Sequence, residues 1–340
     1  MSTKPTYILA IESSCDDTAA AVLADNNVLS NVVARQEIHE EYGGVVPELA
    51  SRAHQQNIVP VVDVALKKAG ITKEQLDGIA FTQGPGLMGS LLVGGSFAKS
   101  LALALAIPLI AVNHMHAHIL CHFIEESGYD QPTFPFLALT ISGGHTQIVQ
   151  VNSFFDLQVL GETTDDAVGE AFDKSAKILG FPYPGGPLID RYAKEGNPKA
   201  YPFTKPKVDG LNFSFSGLKT QFLYFIQKQV AENPNFIEEN KADICASIQH
   251  TIIKILMDKL KLAVEQTGIT QIAIGGGVSA NSGIRATLKE AEKKYKWKTY
   301  IPKFEYTTDN AAMIGIVGYY RFKESLFADS SVVSKARIEF

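Results

Sequence analysis

Apolar runs and small polar turns alternate along this chain, and one combination of them occurs twice. Tyr7 to Leu23 reads as an apolar run, the turn Glu12-Ser13-Ser14-Cys15-Asp16-Asp17-Thr18, and a second apolar run. Phe136 to Val151 repeats the device around Ser142-Gly143-Gly144-His145-Thr146. Short apolar runs bounded by turn residues predict strands, so each segment predicts a strand–turn–strand hairpin. Small residues in such a turn let a phosphate approach the backbone closely, and leave N–H groups free to face it. Two such hairpins predict two similar lobes facing each other across a nucleotide.

The remaining pattern fills in both lobes. Strands are expected near 7–12, 18–24 and 28–34, then a helix near 47–69 with Pro47 in its first turn. A buried strand, 78–82, runs into Gln83-Gly84-Pro85-Gly86-Leu87-Met88-Gly89. A small-residue helix (about 89–106), a strand (107–112) and a His-rich helix follow. After the second hairpin come a helix through Phe172, Asp173 and Ile178, and a long ordered loop over 180–217. Helices near 216–231 and 236–267, a strand at 271–274, a Gly-rich turn, a helix from about 281 and a last helix over 311–322 complete the chain. The expected division is 1–113, completed by a C-terminal helix at about 311–340, and 114–310.

Length and composition allow two full domains: 340 residues, 46% hydrophobic and 20% charged. The most membrane-like run, 100–112, is too short to span and contains Pro108, so no membrane association is expected. No signal peptide is visible. Cys15, Cys121 and Cys245 are scattered and odd in number, which suits a reducing cytoplasm. Net charge is −5, but residues 1–170 hold 7 Lys+Arg against 19 Asp+Glu, and residues 171–340 hold 24 against 17. That asymmetry hints at a polyanionic partner such as RNA, with Lys289, Lys293, Lys294, Lys296 and Lys298 as the densest basic cluster. A solvated helix face is the plainer explanation of the cluster.

Three constellations carry candidate chemistry. Gly275-Gly276-Gly277-Val278-Ser279-Ala280-Asn281 stands between a strand and a helix, where the backbone can pass close to an anion or a polar ring; without a Walker lysine it is not a P-loop. His114-Met115-His116-Ala117-His118 sets two imidazoles at i and i+4 on one helix face, a spacing that lets them share a metal. The protease pattern His-Glu-x-x-His is not met, since Met115 follows His114. Asp309, at a helix start, is a candidate third ligand or a helix cap. Two His and one carboxylate suit Fe(II), Zn or Mn. Asp173 and Asp190, near glycine turns, could accept ribose hydroxyls. Glu12, Asp16 and Asp17 could position a cation or a water, or cap turns.

Ten motifs then occur in order along nearly the whole chain: IESSCDDT (11–18), GGVVPELASRAH (43–54), GPGLMGSLLVG (84–94), NHMHAH (113–118), SGGHT (142–146), GEAFDK (169–174), YPGGP (183–187), FSFSGLKT (213–220), GGGVSAN (275–281) and TDNAAMIG (308–315). Together they resemble the TsaD family of tRNA adenosine threonylcarbamoyltransferases, once described as glycoproteases. The resemblance implies an α/β, two-lobed fold of the actin/sugar-kinase/heat-shock-ATPase type, each lobe a mixed sheet flanked by helices. It implies His114, His118 and Asp309 as ligands of one divalent metal, usually iron. The adenylate of a threonylcarbamoyl-AMP donor would contact Thr140, Ile141, Ser142, Gly143, Gly144, Asp173, Gly186, Asp190 and Asn281, and the 114–310 lobe would carry the metal and most of these contacts. The implied reaction carries the threonylcarbamoyl group to N6 of adenosine 37 in tRNAs reading ANN codons. Implied partners are tRNA, TsaB-like and TsaE-like subunits, and a TsaC-type enzyme supplying the adenylate. His116 departs from the pattern, as relatives often carry another residue there; at i+2 it lies on a different helix face and is not counted as a ligand. No general base is identified; Glu12 is a weak catalytic candidate. The rivals are an ATP-dependent small-molecule kinase of the same fold, a zinc metalloprotease and a non-catalytic nucleotide-binding scaffold.

Overall fold

Both expected hairpins form, and each founds a sheet. The computed structural model describes residues 4–338 and 340. β1 (Tyr7–Glu12) pairs antiparallel with β2 (Thr18–Ala24), which pairs with β3 (Asn27–Ala34). A short helix α1 (Ile38–Glu41) and the long α2 (Pro47–Ala69) lead to β4 (Gly78–Gly84), parallel to β1. α3 (Met88–Leu105) returns the chain to β5 (Leu109–Asn113), parallel to β4, and α4 (His114–Leu120) follows at once. The strand order is β3-β2-β1-β4-β5. β1 is buried almost end to end because it has neighbours on both sides and helices on both faces, whereas the edge strand β3 keeps exposed positions.

The second sheet repeats the scheme. β6 (Phe136–Ile141), β7 (Thr146–Ser153) and β8 (Asp156–Glu162) form an antiparallel meander. α5 (Val168–Ile178), α6 (Gly186–Ala193), α7 (Ser216–Glu232) and α8 (Phe236–Thr267) precede β9 (Gln271–Gly275), which is parallel to β6. α9 (Ser282–Tyr295) then leads to β10 (Lys298–Tyr300), giving the order β10-β9-β6-β7-β8. Phe172, Phe213, Phe215 and Phe222 are fully buried in the core beneath this sheet. The loop expected over 180–217 is therefore interrupted by α6 and anchored by Phe213 and Phe215.

The last helix, α10 (Ala311–Lys323), belongs with the first sheet. It packs on β1, β2 and β4 through glycines: a Cβ on Gly315 would lie 2.2 Å from Leu23 Cδ1 of β2, and one on Gly318 would lie 2.5 Å from Ala80 Cβ of β4. Larger side chains would push helix and sheet apart.

The chain divides into residues 1–131 with 302–340, and residues 132–301. This corrects the expected boundaries at 113/114 and 310/311, and it moves all three candidate metal ligands into the first unit. Packing explains the shift. α4 lies against α10, and Glu126 accepts hydrogen bonds from Tyr306 Oη at 2.7 Å and Lys303 Nζ at 3.0 Å, tying residues 302–310 to the segment after α4. The apolar run expected at 100–112 is split between the end of α3 and β5. α3 itself is long and apolar enough to cross a membrane by length and composition alone; here it packs on β4 and α2.

Candidate functional site

The end of β5 builds the first site. Asn113 caps α4, its side chain accepting from the Met115 N–H at 2.8 Å and the His116 N–H at 3.4 Å. The helix therefore starts at His114, one turn from His118. Their rings meet edge-on with centroids 4.6 Å apart, and their Nε2 atoms are 3.1 Å apart. Asp309 Oδ1 lies 3.2 Å from His118 Nε2 and 3.5 Å from His114 Nε2. The alternative role for Asp309, a helix cap, falls to its neighbour: Asn310 accepts from the Met313 N–H at 3.1 Å, and Asp309 is left to face the histidines.

The donor set fits a metal ion. Ligands at about 2.0–2.1 Å from one Zn or Fe stand about 3.0–3.4 Å from each other, close to the spacings seen here. Among the described residues this is the one group of three or more His, Cys, Asp or Glu placed to do so. His118 is fully buried, while the Asp309 side chain keeps 28% of its surface. Burial disfavours a charge on His114, yet Glu12 and Asp309 raise its pKa well above the ordinary value; burial lowers that of His118. Burial would raise the pKa of Asp309, but His114 and His118 hold it far below the usual carboxylate range. His116 points elsewhere, with its ring 5.0 Å from that of Phe340, and burial followed by Arg321 pushes its pKa down to about 4.

The first hairpin turn is not left open for an anion as expected. The Ser14 N–H donates to Glu12 Oε1, and Glu12 Oε2 accepts from Thr82 Oγ1 at 2.7 Å and lies 2.9 Å from His114 Nδ1. Glu12 is fully buried, and burial works against its charge while His114 lowers its pKa. Asp17, on the same turn, is pushed up to about 7 by burial, then by Asp16 and Asp309.

The second unit offers glycines instead. Thr140 pairs with Gly275 on the adjacent parallel strand, so the turns after β6 and β9 leave the sheet side by side. That is the carboxyl end of parallel strands, where α/β sheets bind ligands. Gly143 and Gly144 are exposed, and a Cβ on either would meet nothing within 4 Å. Thr140 and Ile141 are buried, and the Ser142 hydroxyl accepts from the His145 N–H at 3.1 Å. Gly276 has φ +89°, and a Cβ there would lie 2.5 Å from the Ile141 carbonyl oxygen. Asn281 caps α9, accepting from the Ile284 N–H at 3.0 Å and donating to Gln249 Oε1 at 2.7 Å. Asp173 Oδ1 accepts from the N–H groups of Gly185 at 2.9 Å and Gly186 at 3.0 Å, at the start of α6. Asp190 binds Ser282 through both oxygens, at 2.8 and 3.1 Å. Both carboxylates thus brace the helix starts around the two glycine turns.

Comparison with known proteins agrees with this frame. The profile of TsaD, tRNA N6-adenosine threonylcarbamoyltransferase, matches residues 27–316. The chain belongs to the TsaD family. A tRNA N6-adenosine threonylcarbamoyltransferase from Christiangramia forsetii is 69% identical over all of both chains, and one from Porphyromonas gingivalis is 57% identical over 98% of this chain and 99% of its own. Two solved structures share the fold at low identity. Full-length HypF, in its phosphate- and nucleotide-bound form, matches 96% of this chain with TM-score 0.62 and 14% identity; this chain spans about half, 48%, of its length. Component A of the Acidaminococcus fermentans (R)-2-hydroxyglutaryl-CoA dehydratase matches 94% of this chain and 99% of its own, with TM-score 0.52 and 16% identity.

Within this TsaD-family chain, several residues escaped the motif-by-motif reading. His54 Nε2 donates to the Cys15 carbonyl at 2.9 Å, and His54 Nδ1 lies 2.7 Å from Thr18 Oγ1. Ser90 Oγ donates to the same carbonyl at 2.9 Å. These two side chains pin the 12–18 turn to α2 and α3. The signal was present in GGVVPELASRAH, whose final His is fully buried on a helix, but its partner lies 39 residues away and no periodicity points to it.

Proposed function

We propose that this chain transfers a threonylcarbamoyl group to N6 of adenosine 37 in tRNAs reading ANN codons, with threonylcarbamoyl-AMP as donor. The observation that carries the proposal is full-length identity to named transferases of the family, joined to a three-donor site whose spacing fits a metal. His114, His118 and Asp309 would hold one divalent ion, Fe(II) before Zn or Mn. When bound, the ion supplies Lewis-acid polarisation of a carbonyl oxygen. Thr140, Ile141, Ser142, Gly143 and Gly144 would take the adenylate together with Asn281, and Asp173, Gly186 and Asp190 would shape the turns around it. Fixed placement of the donor contributes much of the rate.

The exposed lysines of α9 and the segment after it would face tRNA. Protein partners of the TsaB and TsaE kinds would complete the assembly, with a TsaC-type enzyme making the donor. The exposed apolar side chains of α3, Leu92 at 51% and Leu103 at 81%, support a subunit contact. A cytoplasmic setting follows from the substrates. The test is nucleoside analysis of tRNA from cells depleted of the protein. Loss of threonylcarbamoyladenosine is expected; its persistence at normal levels would overturn the proposal.

A further inference from the structure

We infer that Glu12 is the positioning residue for the ligand His114: it accepts a hydrogen bond from Nδ1–H, which keeps the proton there and leaves the Nε2 lone pair facing His118 and Asp309. The inference rests on the metal reading above. It starts from register. β1, β4 and β5 are successive parallel strands, with Ile11 opposite Phe81 and Thr82 opposite Val112. Glu12 follows Ile11 on β1, level with Thr82, and His114 stands two residues after Val112, just past the end of β5. Glu12 Oε2 lies 2.9 Å from His114 Nδ1, on the side of the ring away from the other two donors.

The carboxylate is itself fixed. The Ser14 N–H donates to Oε1 and the Thr82 hydroxyl donates to Oε2 at 2.7 Å. Ser14 is held in turn, since its carbonyl accepts from the Leu87 N–H at 2.7 Å. A fully buried carboxylate with its oxygens so engaged has no room to meet a substrate, which replaces the expectation of Glu12 as a direct catalyst. A metal-bound imidazole needs its other N–H on an acceptor, to fix both its tautomer and its orientation. Glu12 Oε2, at 2.9 Å, is the nearer and charged acceptor; the Ser14 hydroxyl also reaches Nδ1, at 3.3 Å.

Glutamine is the discriminating substitution, because it keeps the shape. The Ser14 N–H can only donate, so the Gln oxygen stays on it and the amide NH2 faces His114 Nδ1. That arrangement favours the proton on Nε2, where the ion must bind. The experiment titrates Zn2+ into the metal-free full-length protein against a chromophoric chelator. E12Q is expected to bind zinc about 10–100-fold more weakly than the unsubstituted protein, with a folded circular-dichroism spectrum. Affinity within twofold of the unsubstituted protein overturns the inference while leaving the metal reading intact; failure of the unsubstituted protein to bind zinc sinks that reading itself. Should E12Q not fold, the unsubstituted zinc-loaded protein decides. In 15N-histidine spectra, a His114 proton on Nδ1 supports the inference, and zinc bound through Nδ1 overturns it.

Discussion

The two sheets share one strand order but finish their parallel strands in opposite ways. In the first unit, β1 ends in a buried carboxylate, an imidazole follows the end of β5, and Asp309 joins them before α10. Lone pairs converge there with few protons to satisfy them, which is a cation's environment. In the second unit, β6 runs into the open glycines Gly143 and Gly144 and β9 ends in a tight glycine turn, and the carboxylates Asp173 and Asp190 are occupied with backbone N–H groups and a serine. Backbone donors and close approach suit a phosphate and a flat ring. As proposed above, one frame thus takes two unlike ligands, according to the residues at its strand ends. Charge follows the same split: the first unit has 12 Lys+Arg against 19 Asp+Glu, the second 19 against 17.

The largest effect is expected from breaking the first set of strand ends. His118→Ala should lose the bound metal, and with it several kcal/mol of transition-state stabilisation, at least about a hundredfold in rate. Elemental analysis and an assay of tRNA modification check both; unchanged metal content would remove His118 from the site. Breaking the second set acts on stability. Gly276→Val forces a branched residue to φ +89° against a carbonyl oxygen, a cost of about 3 kcal/mol or more, measurable by urea unfolding. A value below about 1 kcal/mol would mean that the turn relaxes freely.

A smaller effect tests the charge difference. Reversing Lys293, Lys294 and Lys296 to Glu should reduce the salt dependence of tRNA binding by about one log unit of slope per lysine that meets a phosphate. Binding equal to the original chain across a salt series would leave these residues as a solvated helix face. The smallest effect concerns the pinned turn of the first unit. Burial lowers the pKa of His54 below the ordinary 6.5, outweighing the bond to the Cys15 carbonyl. Below pH 6.5 the unfolded chain takes up a proton that the folded His54 resists, so stability falls as pH falls. The contribution is at most about 1.4 kcal/mol per pH unit. His54→Asn should flatten unfolding free energy between pH 6.5 and 5.5; an unchanged slope would assign the acid sensitivity elsewhere.

Much of this was legible in the residues. The two hairpins, the helix-spaced His114 and His118, and the glycine run before Asn281 depend on local pattern, and they lie where the pattern put them. What escaped depends on contacts distant in sequence. Asp309 and Asn310 are equally good caps on paper; only the packing of α10 shows that Asn310 takes the N–H. The boundary at 113/114 failed because Glu126 ties to Lys303 and Tyr306, 177 and 180 residues away. The place of Glu12 beside Thr82 and His114 follows from the register of three parallel strands, which no single run encodes.

The central claim is that cation and adenylate are held by separate sets of strand ends, and one paired binding measurement tests it most directly. Zinc content and AMP affinity would be measured by elemental analysis and calorimetry in His118→Ala and Gly144→Val. Gly144 has open space where a side chain would stand in the way of a ligand, so its substitution should leave folding intact. The expected result is that His118→Ala binds AMP within about twofold of the original chain, as independent sites do, and holds no zinc. Gly144→Val should keep its zinc and lose AMP. Loss of both ligands in either variant would contradict the claim and make the two sites one.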